Sequence, residues 1–381
     1  MLKIVADENI PLAKETFAAL GEVVLLPGRN MQAADVVDAD LLVVRSVTPV
    51  NQALLAGSQV KFVGTCTIGT DHVDLEYLDE QGIGFSNAPG CNAVSVVEYV
   101  IAALSHLWRN QQFEFLSKTV GIIGLGMVGG RLFNALQAMS VEVMGYDPLI
   151  DSGCYTPMVE LEQVLACDIV CIHAPLTKTG PYPSEHMLAI EQLALLKTGA
   201  VLINAGRGGV IDNRALLQLL PQRQDLTVIL DVFEGEPAID LSLLPLLTIA
   251  TPHIAGYSFD GKVAGTSMVY QAVCQHFDLG VADGGVSLAA VSWPEEQAEC
   301  LQKAALYEAI SLITRCFYDI ANDDKTTRQS LTAADKLGRA DEAFDQLRKQ
   351  YPVRRQWQGL TLELDALDEG EQRILNAMLS I

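Results

Sequence analysis

Along the first ninety residues, short apolar runs alternate with amphipathic stretches. Residues 3–6, 22–25, 41–44, 61–64 and 84–86 read as strands, each too short for a helix and each followed by a polar, helix-compatible segment. Such alternation predicts a parallel α/β sheet. Residues 92–110 are apolar nearly all round, which predicts a helix buried between two domains, with Ser95-Val-Val-Glu98 as its capping box and Pro89-Gly90 as a hinge. His106 on that helix reads as a packing residue. The strand pattern then resumes at 120–123, 141–146, 168–173, 200–204, 227–231 and 247–251. Six is the number of a full doubly wound dinucleotide fold. Beyond about residue 282, Ser292-Trp-Pro-Glu-Glu opens a helix with Pro in its first turn and a stripe of Leu301, Ala305, Ala309, Leu312 and Ile313. Helices over 333–350 and 371–379 and a strand over 360–364 follow.

The run at 120–123 enters Gly124-Leu-Gly126-Met-Val-Gly129 without a break, and the spacing of Val128, Leu132, Leu136 and Met139 predicts a helix after it. In a dinucleotide turn, Gly124 lets the chain leave the strand sharply and Gly126 leaves room for a pyrophosphate. Gly129 lets helix and strand pack closely, while Met127 and Val128 complete the cofactor-facing set. The phosphates would sit on the free N–H groups of the helix start. Asp147 ends the next strand about twenty residues on, where a carboxylate accepts both ribose hydroxyls of NAD and repels the 2′-phosphate of NADP.

Composition narrows the partners. At 381 residues the chain has room for two or three cores, and half of it is apolar. A net charge of -22 argues against nucleic acid, which needs clustered Lys and Arg. No apolar run has the length of a membrane span and Met1-Leu-Lys-Ile-Val reads as a strand, so a cytoplasmic location is expected. The eight cysteines lack CxxC spacing, so reduced, mostly buried thiols and no metal are expected, with no catalytic role for Cys66 or Cys91.

In parallel sheets ligands gather beyond the carboxyl ends of strands. In the first ninety residues this selects Asp7, Arg45-Ser46, Thr65-Cys66-Thr67 and Asn87-Ala-Pro-Gly90, with Ser46 and Thr67 as candidate substrate contacts against a bland reading as turn chemistry. In the second sheet it selects Asn204-Ala-Gly-Arg-Gly-Gly209, Asp231-Val-Phe-Glu-Gly-Glu-Pro237 and Thr251-Pro-His-Ile-Ala-Gly-Tyr257. Hydride transfer between a hydroxyl carbon and nicotinamide needs a group to take the hydroxyl proton and a cation to fix the substrate. His253 can supply the first and Glu236 can hold its other ring nitrogen. Arg207 offers a planar charge that grips a carboxylate and polarises the adjoining C2 oxygen.

Taken in order, the glycine turn with Asp147, His173-Ala-Pro-Leu, and the three loops just quoted resemble the D-isomer-specific 2-hydroxyacid dehydrogenases over roughly residues 1–280. The resemblance implies Arg207, Glu236 and His253 as the catalytic residues, with Ala174, Ala205, Gly206, Arg207, Asp231 and Gly256 at NAD alongside the glycine turn. At Ala174 a hydroxyl residue is usual, so one hydrogen bond is lost there. The implied architecture is a flavodoxin-like substrate domain over 1–92, completed by a helix within 256–280, and a Rossmann NAD domain over 93–255. An α+β domain over 282–381, with more apolar surface than a free tail would carry, is expected to make a homodimer. Val44-Arg-Ser-Val-Thr48, Gly64–His72, Ala88–Ala93, Gly180-Pro-Tyr-Pro-Ser-Glu-His186 and Ile254–Ser258 resemble members of the family that oxidise a hydroxy acid bearing a terminal phosphate. That resemblance implies substrate contacts at Ser46, Thr67 and Tyr257, and Arg45 is a candidate for the phosphate. The basic group Arg348, Lys349, Arg354 and Arg355 reads as a solvated face or as salt bridges between subunits, with a lesser chance that one Arg reaches the other subunit's substrate. Other readings are the same chemistry on 3-phosphoglycerate, glycerate or lactate, or an NAD-sensing protein that has lost catalysis.

Overall fold

The computed structural model describes residues 1–151, 153–280, 288–289 and 291–381. The junction expected near residue 282 lies outside the described residues. The chain divides into two compact units, residues 1–92 with 258–289 and residues 93–257 with 290–381.

The first unit is a five-stranded parallel sheet in the order β2-β1-β3-β4-β5. Its strands are β1 (Leu2–Asp7), β2 (Gly21–Leu26), β3 (Leu41–Val44), β4 (Phe62–Thr65) and β5 (Gly84–Ser86). The helix Phe259–His276 returns to this sheet, and its Val269, Tyr270, Val273 and Cys274 pack with Ile4, Ala6, Leu41, Val43 and Phe62. Gly64 makes room for it, since a Cβ there would lie 2.3 Å from Val269.

The second unit holds a six-stranded parallel sheet, β11-β10-β9-β8-β6-β7. The strands are β6 (Thr119–Ile123), β7 (Glu142–Tyr146), β8 (Ile169–Ile172), β9 (Val201–Asn204), β10 (Thr227–Leu230) and β11 (Ile249–Ala250). Because all run parallel, the loops after β9, β10 and β11 open side by side on one edge, with the glycine turn after β6 on that same edge. One face of the sheet packs on the helix Ala93–Gln111 and the helix Gly129–Ala138.

The C-terminal residues depart from the sequence reading. They are helical, and residues 360–364 form no strand. That stretch has no neighbouring strand, and two glutamines serve its backbone instead. Gln372 accepts from Leu364 N and donates to the Leu362 carbonyl, and Gln302 donates to the Glu363 carbonyl and accepts from Asp365 N. The helix expected from residue 292 is broken into Ala298–Gln302 and Leu306–Phe317, because Glu308 caps the backbone N–H of Ala305 and starts the chain afresh. The one expected over 333–350 is two, Ile320–Asp335 and Ala340–Lys349, parted by Gly338 at φ +66. The last helix is Glu369–Leu379. These pieces add Leu306, Ile310, Ile313, Trp357, Leu375 and Met378 to one face of the nucleotide-type sheet and Leu331 and Phe344 to the other.

The capping box at Ser95 is also absent. Ser95 and Glu98 lie buried inside the helix, where Ser95 accepts from Gln356 and Glu98 from Arg354 and Trp357. All eight cysteines are free thiols, but only Cys167, Cys171 and Cys274 are buried, fewer than expected.

Candidate active site

The loops after β10 and β11 bring two of the expected catalytic residues together. His253 Nδ1 lies 2.7 Å from Glu236 Oε2, and the other Glu236 oxygen accepts from Phe233 N at 2.8 Å. With Nδ1–H given to the carboxylate, Nε2 carries the lone pair. Nε2 has no hydrogen-bond partner among the described residues, and the side chain stays one-third exposed, at 33%. That is the arrangement of a positioned proton acceptor.

His253 stands at φ +58, a conformation that costs a non-glycine residue of order 1 kcal/mol or more. The turn is fixed by Asp231, which is 1% exposed. Its backbone carbonyl accepts from His253 N at 2.7 Å, and its carboxylate accepts from the Thr251 hydroxyl, Ile254 N and Ala255 N. Since Thr251 donates to Asp231, the Tyr99 hydroxyl 2.8 Å away donates to Thr251. Burial pushes the Asp231 carboxyl upward, opposed by its interaction with the nearby His253 imidazole and by these bonds. Tyr99 is a part of the site that the sequence reading passed over, and Thr251 entered it only as the start of a selected loop. A tyrosine on an apolar helix gives no sign of where its hydroxyl ends.

Arg207 follows β9 with an exposed side chain whose Nη1 donates to the Gly206 carbonyl. Buried Asn204 clamps its backbone, donating to the Arg207 carbonyl and accepting from Gly206 N. A Cβ on Gly208 would fall 2.0 Å from the Phe233 carbonyl, so the Arg207 loop lies directly against the loop that carries Glu236. The guanidinium itself touches neither Glu236 nor His253 among the described residues. Beside these loops His186 Nε2 meets Glu234 Oε1 at 2.5 Å, and Asp212 completes a cluster within 4.8 Å. The hydrogen bond and charge of Glu234 raise the His186 pKa.

The glycine turn fits a dinucleotide on its own geometry. Gly124 is at φ +86, and a Cβ on Gly126 would meet nothing within 4 Å, leaving open space where a pyrophosphate would lie. A Cβ on Gly129 would fall 1.8 Å from the Gly124 carbonyl, so only glycine lets the helix start there. Asp147 ties the turn to β7 by accepting from Leu125 N and Leu149 N. Met127 is exposed, and Ala174 packs its backbone against Gly124. Val128 flanks the helix start, while Ala205, Gly206 and Gly256 are part-buried on the strand-end loops.

The remaining candidates divide between the units. Tyr257 is in the second, its ring edge-on to Tyr351. Ser46, Thr67 and Arg45 are in the first. Ser46 is exposed, and the Thr67 hydroxyl is held between Thr65 and the Gly69 carbonyl. Arg45 is anchored by buried Asp7 through Nε at 3.0 Å and Nη2 at 3.4 Å, leaving Nη1 without a partner among the described residues. Lys262, a residue the sequence reading missed, has its pKa lowered by desolvation and, to a lesser extent, by the charge of Arg45. Both thiols are part-buried, and the desolvation pushes Cys66 to about 12 and Cys91 to about 11, so neither supplies a thiolate. Of the basic group, Lys349 pairs with Asp345, but Arg354 is not on a solvated face. It is 7% exposed and bound to Glu98 of its own chain, because the chain turns inward after exposed Val353 and buries Arg354, Gln356 and Trp357.

Residues 96–255 match the family model described as the NAD-binding domain of D-isomer specific 2-hydroxyacid dehydrogenases, and residues 294–378 match one described as a domain of unknown function. Among solved structures, the chain resembles D-lactate dehydrogenase from Aquifex aeolicus complexed with NAD and lactic acid (TM-score 0.58, 25% identity, 72% of this chain and 96% of that one). It also resembles NAD+-bound 3-phosphoglycerate dehydrogenase of Entamoeba histolytica in fold (TM-score 0.60, 24% identity, 75% and 99%). The chain belongs to the D-isomer-specific 2-hydroxyacid dehydrogenases and is an NAD-dependent dehydrogenase. Its full-length relatives are more specific. It is 49% identical over 381 residues to erythronate-4-phosphate dehydrogenase of Cellvibrio japonicus, covering 99% of both chains, and 48% identical over 362 residues to the enzyme of that name in Teredinibacter turnerae, covering 93% of both.

Proposed function

We propose that the protein oxidises 4-phospho-D-erythronate at C2 to 2-oxo-3-hydroxy-4-phosphobutanoate, a step of pyridoxal phosphate biosynthesis. Bound NAD supplies the hydride acceptor. His253 Nε2 takes the C2 hydroxyl proton, and Glu236 stabilises the imidazolium that results. Arg207 holds the substrate carboxylate and draws charge onto the C2 oxygen as it becomes a carbonyl. The turn Gly124–Gly129, with Met127 and Val128, holds the pyrophosphate and Asp147 the ribose. Ala174, Ala205, Gly206, Asp231 and Gly256 line the cofactor's remaining length. Ser46, Thr67 and Tyr257 are proposed substrate contacts, with Arg45 and Lys262 supplying charge for its phosphate.

The single observation that carries this reading is the His253–Glu236 pair with Nε2 left open, a device that an NAD sensor does not need. The substrate choice rests on the full-length relatives named above. A cytoplasmic site of action and a homodimer through the C-terminal region belong to the same proposal. No helix among the described residues is long and apolar enough to cross a membrane.

The test is a stopped-flow measurement of NADH formation after mixing NAD-loaded protein with 4-phospho-D-erythronate, unphosphorylated erythronate, 3-phosphoglycerate or glycerate. Fastest reduction by the four-carbon phosphorylated acid is expected. Faster reduction by another acid would reassign the substrate, and no reduction by any would remove the catalytic reading.

A further inference from the structure

The turn at 251–257 that carries His253 is held from two directions. Asp231 holds its first half, as described. Its carbonyls are held by residues far along the chain. The Tyr318 hydroxyl donates to the Ile254 carbonyl at 3.4 Å, and Arg354 Nε donates to the Tyr257 carbonyl at 3.0 Å, 64 and 97 residues downstream. Just before the turn, Ala250 N donates to Asp324 at 2.7 Å, and Arg328 holds that carboxylate in turn.

Arg354 is the best fixed of these groups. Nη1 donates to Glu98 Oε2 at 2.7 Å, while the other Glu98 oxygen accepts from Trp357 N at 2.7 Å. The guanidinium carbon lies 4.0 Å from the centroid of the Tyr318 ring. One plane thus carries an ion pair, a stacking contact and a donor to the turn, which a flexible point charge cannot reproduce. Nη2 is buried without a hydrogen-bond partner among the described residues, a cost that a purely stabilising pair would avoid. Buried ion pairs are in any case weak sources of stability compared with apolar replacements.

We propose that Arg354 is a positioning residue for hydride transfer: by fixing the Tyr257 carbonyl and the Tyr318 ring, it sets the exit of the 251–257 turn and so the place of the His253 imidazole. The inference rests on His253 being the proton acceptor. It gives the region matched to a domain of unknown function a part in the chemistry of its own chain.

The experiment measures the single-turnover rate of NADH formation in full-length, NAD-loaded protein with 4-phospho-D-erythronate, or with whichever of the acids compared above the wild type oxidises fastest. Arg354→Lys keeps a charge for Glu98 but loses the planar donor and the stack. It is expected to lower the saturating rate at least about tenfold, with the half-saturating acid concentration changed less than about threefold. Leu375→Ala, which thins the core of the same segment from its last helix, is the control. At equal or greater loss of Tm it is expected to keep the rate within about threefold of wild type. The double variant Glu98→Met/Arg354→Met replaces the pair with apolar volume and keeps the test decisive if the lysine variant does not fold. It too should lose about tenfold. A wild-type rate in a folded Arg354 variant, or rates that fall with Tm alike in all variants, would overturn the proposal. His253→Gln, measured in parallel, separates the two readings. If it is slow while Arg354→Lys is not, positioning alone fails, and if both keep the wild-type rate the base assignment falls and takes the proposal with it.

Discussion

His253 pairs a left-handed backbone with a side chain whose one ring nitrogen is tied and whose other is open. The residue type and its partner were legible in the sequence, because the imidazole of His253 and the carboxylate of Glu236 stood on consecutive strand-end loops. The strain was not, since it is imposed by Asp231, Thr251 and Tyr99 from separate elements. His253→Gln is expected to lower the saturating rate by about 10²–10⁴ with NAD affinity nearly unchanged. Glu236→Gln should lose about 10- to 100-fold, the worth of one hydrogen bond to a charged group. Equal NADH traces for either variant and wild type would refute the pairing. A second histidine works on stability. Both His173 ring nitrogens are buried without partners, and burial lowers its pKa from 6.5 to about 4. Between those values the unfolded chain binds the proton more readily, so the titration of His173 adds no penalty above about pH 6.5 and erodes stability as pH falls toward 4. Denaturant titrations of the cofactor-free protein should show a flatter loss over that window in His173→Leu.

At the scale of elements, the strands of the two sheets were read well because each is a short apolar run between polar segments, and parallel sheets bury both faces, whereas the one expected over 360–364 found no neighbour to pair with. The C-terminal helices were read less well. Their stripes were visible, but Gly338 and the Glu308 cap interrupt them, and isolated glycines and short caps weigh little against a continuing apolar stripe. The glycine turn offers the sharpest test of an element. A methyl group at Gly126 enters open space and one at Gly129 meets a backbone carbonyl. Gly126→Ala should therefore keep stability within about 0.5 kcal/mol and weaken NAD at least about tenfold. Gly129→Ala should cost about 1–3 kcal/mol or more before any cofactor is added. Paired thermal melts and NAD titrations check this, and identical behaviour of the two variants would contradict the assignment.

Across the whole molecule, the C-terminal region shares its core with the nucleotide-type sheet instead of closing on itself. The sequence showed that this segment had too much apolar surface to be a free tail. Which surface it would cover depends on tertiary contacts such as Arg354 with Glu98, which no local pattern encodes. Trp357 is fully buried, with its indole N–H on the Met378 carbonyl and its backbone N–H on Glu98. Trp357→Ala is expected to cost about 3–5 kcal/mol, and amide exchange in β6 should rise in step, because the two regions would open together. Protected β6 amides in a variant with a loosened C-terminus would argue for separate folding units. The glutamines at 302 and 372 bear on how the molecule meets its neighbours. By occupying the amides of Leu364 and Asp365 and the carbonyls of Leu362 and Glu363, they deny those groups of a leucine-bearing stretch to any passing chain. Backbone groups left open to intermolecular β-pairing would invite association, and here side chains of the same protein take them.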